Sequence, residues 1–237
     1  MYDTEELYGE KGKFRTLQFS DEAVQGAIDL NNPGRILFEY VRGIVHLMEF
    51  NSPFFEDAFV IGHGIGTVAR HFAERRVKAA ELDAKVVSIS RDYFGYAGDR
   101  VVVGDGRRIL EEEADRAYDY IVLDAFTEKG TPSHFTSREF FSLALSKLDP
   151  RGAVIMNLFG KSGHHERIQA IHATLGEQFA YTKSFTIPSR GRTDVLNVIM
   201  VGRNRPIGYQ ARHMAGFAEF DPGPGRIIVD GDDWPRS

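Results

Sequence analysis

Several glycine and carboxylate positions in this chain are spaced so that, together, they could hold a nucleoside. Gly62, Gly64 and Gly66 follow the apolar run Asp57-Ala-Phe-Val-Ile61 and precede Ile65, Val68, Ala69 and Phe72, which recur at helical spacing. Glycine tolerates positive φ and lets a ligand approach the main chain without a Cβ in the way. Glu81 closes the next apolar run, Val77-Lys-Ala-Ala-Glu81, where a carboxylate can accept two hydrogen bonds from a ribose diol. Gly104-Asp105-Gly106 and Asp124 end two further runs. The loop spacing is G-x-G-x-G, and Thr67 stands where a dinucleotide fingerprint would have its third glycine. That points to an adenosyl sulfonium such as S-adenosylmethionine, with no pyrophosphate to cradle. Each feature alone has an ordinary alternative: a ligand-free tight turn for the glycines, and a helix N-cap for Asp105.

The elements that must position these residues alternate. Strand candidates are 57–61, 77–82, 100–103, 118–123 and 152–158, and helix candidates 65–75, 84–94, 106–113 and 137–147 follow the first four. This alternation gives a parallel sheet with helices on both faces. Ligands of such sheets bind beyond the carboxyl ends of the strands, where Gly62 to Gly66, Glu81, Asp83, Asp105 and Asp124 all fall. Thr136-Ser-Arg-Glu139 reads as a capping box opening the fourth helix. After a helix candidate at 164–175, the runs 179–185 and 195–201 are joined by a connection too short for a helix and should pair antiparallel. A helix over 35–49 precedes the sheet, and Phe14–Ile28 suggests a hairpin turning at Ser20-Asp-Glu22. The tail from Arg205, rich in proline and glycine, carries no readable element.

Composition narrows the class. With 237 residues, 42% hydrophobic and 27% charged, the chain can bury a full core. No apolar run approaches the roughly 18 residues of a membrane span, and the acidic start is unlike a signal peptide, so a cytoplasmic location with no membrane partner is expected. The absence of cysteine excludes disulfides, thiolate metal sites and a cysteine nucleophile. A net charge of −5 argues against nucleic acid as the main partner and is compatible with a cationic substrate. No metal is required. His164-His165-Glu166 looks like half a metal site, but neighbouring helical residues point about 100° apart, and a solvated helix start explains them better. Arg190 and Arg192 read as a solvated turn.

The motifs Gly62-His-Gly-Ile-Gly66, Glu81-Leu-Asp83, Val103-Gly-Asp-Gly-Arg107, Ile121-Val-Leu-Asp-Ala-Phe126 and Phe135-Thr-Ser-Arg-Glu-Phe-Phe141 resemble the spermidine synthase family, aminopropyltransferases on a methyltransferase fold. The likeness runs from about Phe14 to Val201. It implies an α/β fold: a seven-stranded, mostly parallel Rossmann-like methyltransferase sheet with helices on both faces and a C-terminal antiparallel strand. A short N-terminal β-hairpin region (1–34), the main domain (35–204) and a C-terminal tail (205–237) follow from it. The resemblance implies that Glu81 holds the ribose hydroxyls and Asp105 the adenine amino group, with Leu82 and Gly106 beside them. Gly62, His63, Gly64 and Gly66 would pass beside the nucleoside, Gln25 would lie near the donor, and Asp124 would sit beside the attacking amine as the catalytic residue. A homodimer is also implied.

The chain departs from the family at identifiable positions. Ile65 replaces a loop aspartate, Thr127 replaces a second aspartate after the fourth strand, and Ile36-Leu-Phe-Glu-Tyr40 lacks the family's tyrosine-histidine-glutamate stretch. Because a sulfonium is already activated, the protein's task is to align a nucleophile with the carbon–sulfur bond and exclude water. Asp124 could accept the proton of an attacking amine or fix a charged one. Thr127 to Phe135 is placed to act as a lid, or is an ordinary surface loop. Three readings follow: aminopropyl transfer from decarboxylated S-adenosylmethionine to a small amine, methyl transfer from S-adenosylmethionine to a small acceptor, or nucleoside binding without turnover. Ile65 removes a negative charge that would repel a donor carboxylate, which favours the second.

Overall fold

Alternating side chains along the central strands pack into two different layers, so these strands are buried on both faces, as a parallel sheet requires. In β4 (Asp57–Ile61), Ala58 and Val60 join one core and Phe59 and Ile61 the other. In β7 (Tyr118–Leu123), Tyr120 and Val122 oppose Ile121 and Leu123 in the same way. The computed structural model describes residues 1–20, 23–126, 130–161, 165–187 and 195–232.

Among these residues the main sheet has eight strands. With β5 (Arg76–Glu81), β6 (Val101–Val103), β8 (Leu148–Lys161), β9 (Tyr181–Thr186), β10 (Val195–Arg203) and β11 (Ala218–Phe220), the order is β11-β9-β10-β8-β7-β4-β5-β6. β6, β5, β4, β7 and β8 are mutually parallel, and β10 is antiparallel to both β8 and β9, as expected. The strand order reverses between β4 and β7, and a crevice opens there at the carboxyl ends.

Helix α1 (Glu39–Asn51) and α2 (Thr67–His71) cover one face, joined by Ile207, Met214 and Phe217 of the tail. Helices α4 (Gly106–Glu111), α5 (Arg138–Lys147) and α6 (His165–Gln178) cover the other, with Ile228 fully buried among them. Between the second and third parallel strands, α3 (Ala84–Phe94) starts at Asp83, whose carboxylate caps Lys85 N at 2.8 Å.

Four expectations change. The sheet has an eighth strand, β11, because three residues of the tail pair with β9; a strand that short leaves no periodic signal. The N-terminal hairpin expected over Phe14–Ile28 is present as β2 (Glu10–Ser20) paired antiparallel with β3 (Ala23–Asp29), its turn residues Asp21 and Glu22 lying outside the described residues, and β1 (Tyr2–Leu7) adds a third antiparallel strand that was not expected. β1 lacks alternation because it buries no face; Asp3 instead takes a two-pronged hydrogen bond from Arg15 at 2.7 and 2.9 Å. The helix expected over 65–75 is a single turn, Thr67–His71. There is no capping box at Thr136: Ser137 caps α5 by accepting from Phe140 N, and Glu139 accepts from the backbone of Asp230. A carboxylate committed to the tail is unavailable to its own helix end.

The N-terminal sheet docks on the glycine loop. Leu17, Ile28, Ile65, Val86 and Phe94 form their own apolar cluster, and a Cβ on Gly26 would lie 2.6 Å from the Ile65 side chain. Ile65 is thus the knob on which β3 sits.

Candidate functional site

The chain leaves β4 through Gly62, at φ +96°, where a Cβ would lie 2.1 Å from the carbonyl oxygen of Asp124. No other residue fits between the two strand ends. Gly66, at φ +79°, would push a Cβ into the Tyr96 ring at 2.5 Å. Gly64 differs: at φ +52° its missing Cβ faces open space. The loop backbone is therefore exposed at Gly64 and locked on either side. Arg70 completes the lock by donating to the carbonyls of Ile65 and Phe94, at 3.2 and 2.7 Å.

Glu81, at the end of β5, holds this loop from the side. Its Oε2 accepts from the amides of His63 and Gly64 at 3.1 and 3.3 Å, and its Oε1 from Asp83 N at 3.1 Å. His63 turns its imidazole inward: it is buried, its Nε2 lies 2.9 Å from Ser90 Oγ, and its ring stands edge-on to Tyr96. Burial, reinforced by the nearby charges of Arg91 and Arg70, pushes its pKa down to about 4. The imidazole is accordingly neutral and structural.

At the end of β6, Asp105 caps α4, with Oδ1 accepting from Arg107 N and Arg108 N at 3.0 Å each. The N-cap alternative is thus realised, but it occupies only one oxygen; Oδ2 lies 3.4 Å from His134 Nε2. Gly106 has a packing role, since a Cβ there would meet Ile61 at 2.5 Å. Leu82 stands well out into solvent.

Asp124 ends β7 beside Gly62. Asn157 Nδ2 on β8 donates to its Oδ1 at 3.0 Å, and the Tyr40 hydroxyl at the start of α1 also donates to it. Enclosure by protein raises its pKa to about 6, against the lowering effect of those two hydrogen bonds. The Tyr40 phenol is in turn pushed well up, first by burial and then by the neighbouring carboxylate. Neither Tyr40 nor Asn157 was among the expected site residues. The signal for Asn157 was a lone amide inside the apolar run 152–158; Tyr40 sat in the stretch set aside for its mismatch with the family.

A cleft gathers Gln25, Gly62, His63, Gly64, Gly66 and Asp124, closed by Phe38 and Tyr40. Glu81, Leu82, Asp105 and Gly106 lie outside that lining, along the next two strand ends. Residues 127–129 and 188–194, including Thr127, Arg190 and Arg192, lie outside the described residues, as do His164 and the side chain of His165. The rest of the expected lid is packed: Thr131 and Phe135 are buried, and Arg107 donates to the His134 carbonyl at 2.9 Å. Among the described residues no three His, Asp or Glu side chains converge so as to hold a metal ion, and no helix is long and apolar enough to cross a membrane.

Comparison with known proteins places this geometry. Residues 37–207 match the family model described as the spermine/spermidine synthase domain. A polyamine aminopropyltransferase of Vibrio vulnificus is 30% identical over 171 residues, covering 68% of this chain and 56% of that protein. A putrescine N-methyltransferase of Nicotiana attenuata is 29% identical over 142 residues, 55% of this chain and 38% of the relative. The chain thus spans about half the length, or less, of these curated relatives. A crystal structure of a probable spermidine synthase from Corynebacterium glutamicum superposes with a TM-score of 0.80 at 21% identity, covering 95% of each chain. At that identity the likeness speaks for the fold.

Proposed function

This chain belongs to the spermine/spermidine synthase family, and from that premise we propose that it transfers an aminopropyl group from decarboxylated S-adenosylmethionine to a small amine. The observation that carries the reading is the enclosed carboxylate of Asp124 at the edge of a glycine-walled cleft. The nucleoside fits along the strand ends: the open face of Gly64 leaves room for it, Glu81 stands at the ribose and Asp105 Oδ2 at the base.

In this reading the amine nitrogen forms a bond to the carbon next to the sulfonium. The electrons of the broken carbon–sulfur bond go to sulfur, leaving neutral methylthioadenosine, and the displaced proton passes from nitrogen to Asp124. A carboxylate with a pKa of about 6 is ionised at neutral pH yet basic enough to take that proton. Tyr40 and Asn157 fix its orientation, and Phe38 helps to keep the cleft apolar. Alignment supplies most of the rate, because the leaving group is already activated.

Methyl transfer from S-adenosylmethionine is the second reading. Ile65 favours it, since an apolar, buried side chain stands where a loop carboxylate would repel the donor's own carboxylate. Incubation with each donor and a panel of amines, read by mass spectrometry, separates the two. Aminopropylated amine from the decarboxylated donor supports the proposal; methylated product from S-adenosylmethionine alone overturns it in favour of the second.

A further inference from the structure

A row of aromatic rings leads away from Asp124. The Tyr40 hydroxyl donates to that carboxylate, and the Tyr40 ring is stacked on Phe38, with centroids 5.9 Å apart and planes 14° from parallel. Phe38, itself half-buried, meets Tyr8 edge-on at 6.3 Å. Tyr8 stands 75% exposed at the turn between β1 and β2, in the left-handed region at φ +49°. A bulky residue seldom takes that backbone conformation, and its ring gains nothing there from the core. Three rings thus follow one another from the reacting carboxylate to the surface.

The surroundings of this row are apolar. Among the described residues that line the cleft, Asp124 is the only carboxylate, and neither lysine nor arginine joins it. Glu39, between the two stacked rings in sequence, is exposed and pairs with Arg42 at 3.1 Å. Glu81 commits both oxygens to the amides of His63, Gly64 and Asp83. Ile65 adds a buried apolar side chain to the lining. Resting on the aminopropyl-transfer reading above, we propose that the amine substrate is a primary monoamine with an apolar, aromatic body, its nitrogen at Asp124 and its body against Phe38. That nitrogen bonds to the carbon next to the sulfonium, the electrons of the carbon–sulfur bond go to sulfur, and the displaced proton goes to Asp124, leaving a secondary amine. A diamine would carry a second ammonium in among the rings. An ammonium taken out of water without an anionic partner costs far more than a methyl group or a ring. Attraction to a ring face offsets only a small part of that.

The test compares initial rates with decarboxylated S-adenosylmethionine and each of three amines, putrescine, pentylamine and 3-phenylpropylamine, the products read by mass spectrometry. Pentylamine is putrescine with a methyl group in place of one amine, so this pair isolates the second ammonium. The ring of 3-phenylpropylamine lies three carbons from the nitrogen and leaves it nearly as basic as pentylamine, so that pair isolates the ring. In the parent protein kcat/KM should be at least about tenfold higher for pentylamine than for putrescine, and several-fold higher again for 3-phenylpropylamine. In Phe38→Ala the preference for 3-phenylpropylamine over pentylamine should shrink to less than about twofold, the change falling mainly on KM. The parent comparison needs no variant, and each preference is a ratio within one protein, which a partial loss of folded enzyme does not move. Putrescine used as well as pentylamine, 3-phenylpropylamine used no better than pentylamine, or a ring preference that survives Phe38→Ala overturns the monoamine assignment and leaves aminopropyl transfer standing. Aminopropylated product from none of the three amines overturns both.

Discussion

Asn157 Nδ2 donates to Asp124 Oδ1 at 3.0 Å from a side chain with no solvent exposure. This contact joins the middle of β8 to the end of β7, and it is one of two hydrogen bonds that oppose the upward push of burial on the Asp124 carboxyl. Removing it should therefore raise that pKa further above about 6. Asn157→Leu is expected to move the acid limb of the kcat/KM profile to higher pH while leaving the alkaline limb in place. Asp124→Asn should lower kcat by a factor of about 10² to 10⁴, the usual contribution of a general base.

The sign of the same shift bears on stability. A carboxyl whose pKa is higher folded than unfolded favours the folded state only while it is protonated. Its contribution is present below the unfolded carboxylate range near 3.8 and is lost as pH rises through about 6. Asp124→Asn removes that loss, so the variant should melt higher than the parent at pH 7.5, with the gap closing toward pH 4. Thermal denaturation at the two pH values checks it.

Gly62 and Gly64 should part company. Alanine at Gly62 meets the Asp124 carbonyl at 2.1 Å and is strained in φ, so Gly62→Ala should cost about 2 kcal/mol or more. Alanine at Gly64 faces open space and carries only the left-handed penalty, roughly 1 kcal/mol. Gly64→Ala should nonetheless weaken methylthioadenosine binding, because its methyl projects where the ligand would lie. Denaturant unfolding and calorimetry on the two variants measure the contrast.

Ile65 shows how a family comparison and a structure answer different questions. Restoring a carboxylate with Ile65→Asp would place a charge in the cluster of Leu17, Ile28, Val86 and Phe94. The expected cost is about 3 kcal/mol or more, with loosening of the N-terminal sheet on α3. Hydrogen exchange of the β2 and β3 amides should report it. A gain of decarboxylated-donor activity without loss of stability would contradict the docking role.

Much of the sheet was legible because apolar runs such as Asp57–Ile61 and Tyr118–Leu123 are buried on both faces, and each is followed directly by a residue that lines the cleft, Gly62 and Asp124. Gly62 and Asp124 could be paired from that pattern alone. Tyr40 and Asn157 could not: their roles depend on contacts with Asp124 that span dozens of residues, and the lone amide in the run 152–158 does not say which group it meets. Asp105 was ambiguous between cap and ligand, and it proves to cap with one oxygen and leave the other facing His134. The tail was opaque for a similar reason. Ile228 is fully buried, its amide donating to Thr174 Oγ1 at 2.9 Å and its carbonyl accepting from Arg138 N, yet isolated apolar residues among proline and glycine carry no period. Ile228→Ala should cost about 2–5 kcal/mol, the range for an emptied core site.

The central claim is that the ends of β4, β5 and β6 hold one adenosine, and calorimetric titration of the parent protein and of Glu81→Gln with 5′-methylthioadenosine tests it most directly. The account predicts saturable one-to-one binding by the parent and at least about tenfold weaker binding by Glu81→Gln, the loss of a charge-assisted hydrogen bond to the ribose. Equal affinity in the two proteins, or no binding by the parent, would contradict it.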